Sequence, residues 1–179
     1  MKSLLAPVVA CAALLAIPPG SGAVTIASDD GRARVYQHWA DRAVAPLPAM
    51  TIQVTRSHPL RIPGASPARS HTAPGLPIYF APGDGRAVFL HELGHQAEYA
   101  MSDPARDAFL LLTHQSGRAW REPPDSPHEQ MAEAWSLCAG GIPHGRRHHR
   151  HVWGAYGYEP TIATHRAEGA RLGWPPAGA

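Results

Sequence analysis

The chain has 179 residues, 44% hydrophobic and 17% charged, a globular composition long enough for one domain with a real core. Its formal net charge of +2 gives no case for a nucleic-acid or anionic-membrane partner. The 19 prolines and 17 glycines point to long irregular connections and few strands.

Residues 1–23 read as a signal peptide. Met1-Lys2 supplies the positive end, residues 4–17 an apolar run, Pro18-Pro19-Gly20 a break, and Ser21-Gly22-Ala23 small residues for cleavage after Ala23. The run is too short to span a bilayer comfortably, so export is expected, with no stable membrane association once the leader is cut; an uncleaved N-terminal anchor is the alternative. Cleavage removes Cys11 and leaves Cys138, so no internal disulfide is expected, and Cys138 reads as a small buried hydrophobe.

Residues 24–179 then form a single domain. Ser28-Asp29-Asp30 can cap a helix over residues 31–44, with Val35, Trp39 and Arg42 at helical spacing. Alternation with β-branched residues makes 50–56 a short strand. Five prolines make 57–77 an extended loop, in which His58 and His71 read as solvated surface groups. Residues 78–80 form a short apolar run, an edge strand because prolines flank it. Gly83-Asp84-Gly85 is a turn into a helix over 86–101. Asp103 as N-cap and Pro104 start another helix, whose apolar stretch 109–112 should bury against the preceding one, with His114 as a cation at its end. Ser126-Pro127 begins a helix that Gly140-Gly141 stops. The Arg- and His-rich run 146–151 reads as a solvated basic loop, a helix is expected from Pro160 to about residue 172, and residues 174–179 as a frayed tail.

The chemistry is concentrated in two of these helices. His91-Glu92-Leu93-Gly94-His95 is an H-E-x-x-H pattern: one turn apart, His91 and His95 can share a metal ion, and Glu92 can take a proton from water beside it. With 12 histidines in the chain the pattern would arise in roughly 3 of 100 shuffled sequences, so context must decide. The flanking residues 87–90, with Leu93, Gly94 and Ala97, are uncharged, as suits a helix with its metal face in a cleft and its other faces buried.

A catalytic zinc needs a third protein ligand. A third histidine at the metzincin spacing is excluded, because Glu98 and Met101 occupy the required glycine and histidine positions. A cysteine ligand before the motif is excluded too, since Cys138 lies far downstream. A histidine or aspartate elsewhere has no spacing to support it. The other source is the segment Glu129-Gln130-Met131-Ala132-Glu133-Ala134-Trp135, where two carboxylates lie at i and i+4 on one face. One could bind metal while the other accepts a ring N–H from a ligand histidine. Gly94, Ala132 and Ala134 are small, which would let the two helices approach closely.

Together these motifs resemble the gluzincin metallopeptidases, and are most similar to the small branch with an E-x-x-A-E-A-aromatic helix, as in the anthrax lethal factor catalytic domain. The resemblance covers the two motif helices. It implies a zincin-like α+β fold, mainly helical with a short sheet, in which an active-site helix packs against a glutamate helix. It implies Zn2+ held by His91, His95 and Glu129, Glu92 as general base, and Glu133 as the carboxylate supporting a ligand histidine. It also implies hydrolysis of peptide or protein substrates, and a free strand edge at 78–80 would suit an extended substrate; a plain packed strand is the alternative. The family carries a tyrosine a few residues before the ligand glutamate; Glu122 stands there, leaving His128, Tyr156 and Tyr158 as candidates by residue chemistry. A zinc-binding domain with little or no turnover, and a zinc amidase acting on cell-wall peptide, are the alternative functions.

Overall fold

The structure, a computed structural model, describes residues 24–43, 49–57, 69–121 and 126–140. The leader, His58, Glu122, the run 146–151, Tyr156, Tyr158, the helix expected from Pro160 and the tail lie outside these residues, as does the side chain of Cys138. The described residues form an α+β fold of four helices and one three-stranded sheet: β1 (Thr25–Ser28), α1 (Ala33–Asp41), β2 (Thr51–Thr55), β3 (Ile78–Tyr79), α2 (Arg86–Tyr99), α3 (Asp103–Leu112) and α4 (Pro127–Gly140). None of these helices is long and apolar enough to cross a membrane.

The strands run parallel in the order β1-β2-β3, with Ile26 opposite Ile52, and Val54 opposite both Ser28 and Ile78. The alternation in β2 is what places it at the centre: Ile52 and Val54 enter the core while Thr51 and Gln53 face solvent. The strand β1 is not foreseen from the sequence, where Ser28-Asp29-Asp30 reads as a helix cap. Ser28 instead ends β1, and the helix starts at Ala33 after a turn through Gly31 at φ +73°. Asp30 organises that turn. Its carboxylate accepts the Arg32 N–H at 2.9 Å, the Tyr36 hydroxyl at 2.8 Å and Arg56 Nε at 2.8 Å, as well as the Ser28 hydroxyl. Burial would raise its pKa, but these four donors together hold it well below the carboxylate range.

Tyr36 and Ala40 are the buried positions of α1, whereas Val35, expected on that face, is exposed. The helix is rotated because the Tyr36 ring stacks on Phe89 of α2 (5.4 Å, 18°) and meets Phe80 edge-on (5.4 Å, 76°). Trp39 adds edge contacts to Tyr36 and Phe80. This aromatic group ties α1, the end of β3 and the first turn of α2 into one core, and so fixes where α2 begins.

β3 lies at the end of the sheet, but its outer edge is not free. His71 and Tyr79 form an antiparallel bridge through both backbone hydrogen bonds (3.1 and 2.9 Å), and the Ser70 hydroxyl accepts the Ala81 N–H at 2.9 Å. His71 is thus a half-buried sheet residue rather than a solvated loop group, and an extended ligand cannot pair with Tyr79 while this bridge stands.

In α3 the expectation of a wholly buried body fails. Phe109 and Leu110 are buried, but Leu111 is 68% exposed, because the helix lies on the surface with one apolar stripe inward. The helix assignment starts at Asp103 with Ser102 as its N-cap, one residue earlier than expected. His114 lies past the last turn at φ 58°, as the left-handed residue of a stop in which Gln115 N–H bonds Leu110 O (2.7 Å) and His114 N–H bonds Leu111 O (3.3 Å). A side chain is strained there, so His114→Gly is expected to raise stability by about 1 kcal/mol in urea unfolding.

Candidate metal centre

Helix α2 is buried on nearly every side from Ala87 to Glu98, which explains a segment with no polar face. Its partner is α4, whose Pro127 occupies the first helical position and whose Ser126 carbonyl accepts the Glu129 and Gln130 N–H groups. The two helices meet at their backbones. A Cβ built on Gly94 would lie 2.6 Å from Ala132 O and 2.9 Å from its Cα, so the glycine is what permits the contact. That approach carries Glu129, in the first turn of α4, across to the two histidines of α2.

His91 Nε2 lies 3.1 Å and His95 Nε2 3.3 Å from the same oxygen, Glu129 Oε2. The two rings are 4.9 Å apart and perpendicular, and one ligand atom from each of the three residues falls within 4.8 Å of the others. Ligand bonds of 2.0–2.1 Å in a tetrahedron put neighbouring donor atoms about 3.3–3.4 Å apart. The two separations from Glu129 Oε2 lie close to that edge. His91, His95 and Glu129 therefore form a group that could hold a metal ion, the set expected from the two motifs. Glu129 is 26% exposed while both histidines are buried, so the group opens to solvent on the α4 side.

Comparison with protein-family models, curated proteins and solved structures finds no match.

Burial would raise the pKa of Glu129, but hydrogen bonds from His91 and His95 hold it far below the ordinary value. Burial lowers His91. For His95 the same desolvation is outweighed by Glu129, with Glu92 and Glu98 adding to it, and its pKa is raised. Glu92 behaves differently. Buried beside the group, it is pushed up to about 8, chiefly by desolvation, and Glu129 and Asp84 add to the rise. Its Oε2 has no hydrogen-bond partner among the described residues, an orphaned acceptor that water at the site would satisfy.

Glu133 is fully buried on α4, one turn beyond Glu129. His128, Tyr99 and Arg121 border the group. The His128 ring sits 5.1 Å from that of His95 at 79°, and burial lowers its pKa to about 4. The Tyr99 ring stacks on His95 (6.2 Å, 17°), its hydroxyl donates to Thr72 O at 3.2 Å, and the Arg121 guanidinium lies over the ring 5.7 Å from its centroid. The i+4 spacing of His91, His95 and Tyr99 was the signal for that stripe.

A further buried carboxylate was missed in the sequence. Glu98, notable there only for excluding the metzincin spacing, is buried and accepts Trp120 Nε1 at 2.5 Å, with Arg106 3.7 Å away. Trp120 O in turn accepts the His128 N–H at 3.1 Å. A buried carboxylate on α2 thereby anchors the loop that delivers the start of α4, and with it Glu129.

Proposed function

We propose that the chain is an exported zinc-dependent metallopeptidase of gluzincin type. The observation that carries this reading is the convergence of His91 and His95 of α2 with Glu129 of α4, beside a buried Glu92 that has an orphaned oxygen. Two neutral imidazoles and one carboxylate are a zinc donor set, and three protein ligands leave a fourth position open. Bound there, zinc would polarise a carbonyl and make water a stronger acid.

The residues supply the rest. His91, His95 and Glu129 hold the ion, and Glu133 steadies a ligand histidine from behind. Glu92 accepts a proton as the water oxygen bonds to the peptide carbonyl carbon and the carbonyl electron pair moves onto oxygen. When that pair returns and the C–N bond breaks, Glu92 gives the proton to the leaving amine. Substrate would enter over the exposed side of Glu129. With Tyr79 already bridged to His71, backbone pairing with an extended peptide would fall to residues 70–72 or to the α4 side.

The deciding experiment is metal analysis of the purified protein together with cleavage of a denatured protein with and without chelator. One zinc per chain and cleavage lost to chelator and restored by zinc are expected. Glu129→Gln should weaken zinc binding roughly a hundredfold or more. A wild-type protein that binds zinc through these residues yet cleaves nothing would make this a binding domain rather than a peptidase.

A further inference from the structure

Resting on that reading, we propose that His128 is the catalytic donor to the oxyanion that develops on the substrate carbonyl, the role left empty by Glu122. Its placement carries the argument. A residue directly before a ligand on a helix points about 100° away around the axis, so His128 flanks the ion's position without sharing it. It stands outside the three-residue ligand group. Its ring packs edge-on against His95, and its Nε2 lies 3.6 Å from Glu129 Oε1, the carboxylate oxygen opposite the one facing the two ligand histidines. That separation is too long for a hydrogen bond, and among the described residues no hydrogen bond engages Nε2.

The other end of the ring has a neighbour of its own. Nδ1 faces the Ser126 hydroxyl at 3.5 Å, and the backbone N–H is fixed to Trp120 O. In the tautomer in which Ser126 donates to Nδ1 the proton resides on Nε2, and the side chain, 19% exposed, holds Nε2 3.6 Å from Glu129 Oε1 on the partly exposed side of the group. Oxyanion stabilisation asks for such a donor, pre-oriented and aimed where charge appears rather than where the resting carbonyl lies. The neighbours do not compete. Tyr99 spends its hydroxyl on Thr72 O, and Arg121 lies across the Tyr99 ring. The chain of contacts Glu98–Trp120–His128 then acquires a purpose: it sets the donor and the ligand Glu129 in one rigid turn.

The test uses the full chain, zinc-loaded, as wild type, His128→Ala and His128→Gln. Inorganic phosphate, a tetrahedral oxyanion, is titrated calorimetrically, and zinc affinity is measured by chelator competition. Phosphate should bind about tenfold more weakly to His128→Ala and recover in part in His128→Gln, which keeps an N–H donor, while zinc affinity stays within about threefold. On a denatured-protein substrate, kcat should fall about a hundredfold in His128→Ala with little change in KM. Unchanged phosphate affinity in His128→Ala, or no phosphate binding by wild type, overturns the proposal. So does a tenfold loss of zinc affinity, which would make His128 a ligand. If phosphate binding depends on His128 but wild type cleaves nothing, His128 stands as the anion donor and peptide hydrolysis falls.

Discussion

Gly94→Ala is expected to cost about 3 kcal/mol in unfolding of the metal-free protein and to weaken zinc binding at least tenfold. The new Cβ would meet Ala132 O at 2.6 Å, its Cα at 2.9 Å and its carbonyl carbon at 3.1 Å. All three are backbone atoms, so no side chain can rotate aside, and the helices must separate. An alanine in a helix interior gains about 1 kcal/mol in propensity over glycine, which is too little to offset the overlap. The metal effect follows from the same shift, since Glu129 lies one turn from the contact and its separations of 3.1 and 3.3 Å from the histidines depend on it. Adding Ala132→Gly should not rescue the variant, because the Ala132 side chain is not what the new methyl group meets. Urea unfolding and chelator competition read both effects. A Gly94→Ala protein with wild-type stability and zinc affinity would show that the helices can part without consequence, and the account of the site would fail.

That contact also marks what the sequence could convey. The run of small residues Gly94, Ala132 and Ala134 announces close helix packing, and the motif spacings put His91, His95, Glu129 and Glu133 on the faces that meet. Such local signals survive without tertiary knowledge because a helix fixes which residues share a face. The strand β2 was legible for the same reason, since its alternation is intrinsic to five residues. β1 was not. Its Thr-Ile-Ala-Ser sequence buries one residue fully and becomes a strand through pairing with β2, a partner more than twenty residues away.

The misread positions share that origin. The α1 face turned from Val35 to Tyr36 because Phe80 and Phe89, distant in sequence, supply the rings Tyr36 packs against. The covered edge of β3 depends on His71, inside a proline-rich stretch whose path has no periodic signal. In the sequence Glu98 bears only on the metzincin spacing. Its function as an anchor emerges through Trp120, twenty-two residues on. His128 illustrates the boundary: residue chemistry made it a candidate, and only its position against His95 and Glu129 gives it an orientation.

Glu92→Gln separates the chemistry of this site from its stability. In the metal-free protein, burial raises the Glu92 pKa from 4.5 to about 8, so the folded state binds a proton that the unfolded state releases within that window. The contribution of Glu92 to stability is therefore fully present below pH 4.5, falls by about 1.4 kcal/mol per pH unit as pH rises toward 8, and levels off above it. Glutamine has the same shape and no proton to keep. Metal-free Glu92→Gln should match wild type near pH 4 and exceed it by about 3 kcal/mol at pH 7. Zinc loading should shrink this difference, because a nearby cation favours the ionised carboxylate and removes the penalty. Zinc affinity should stay within about threefold, Glu92 being no ligand, while peptide cleavage falls by roughly 10²–10⁴. The three readouts constrain one another: lost cleavage with unchanged pH-dependent stability would place Glu92 outside the buried site, and preserved cleavage would remove it as the base. Under the proposed reading, a buried carboxylate that burial penalises and a nearby cation would relieve is placed to act on water, which a structural metal clip would not require.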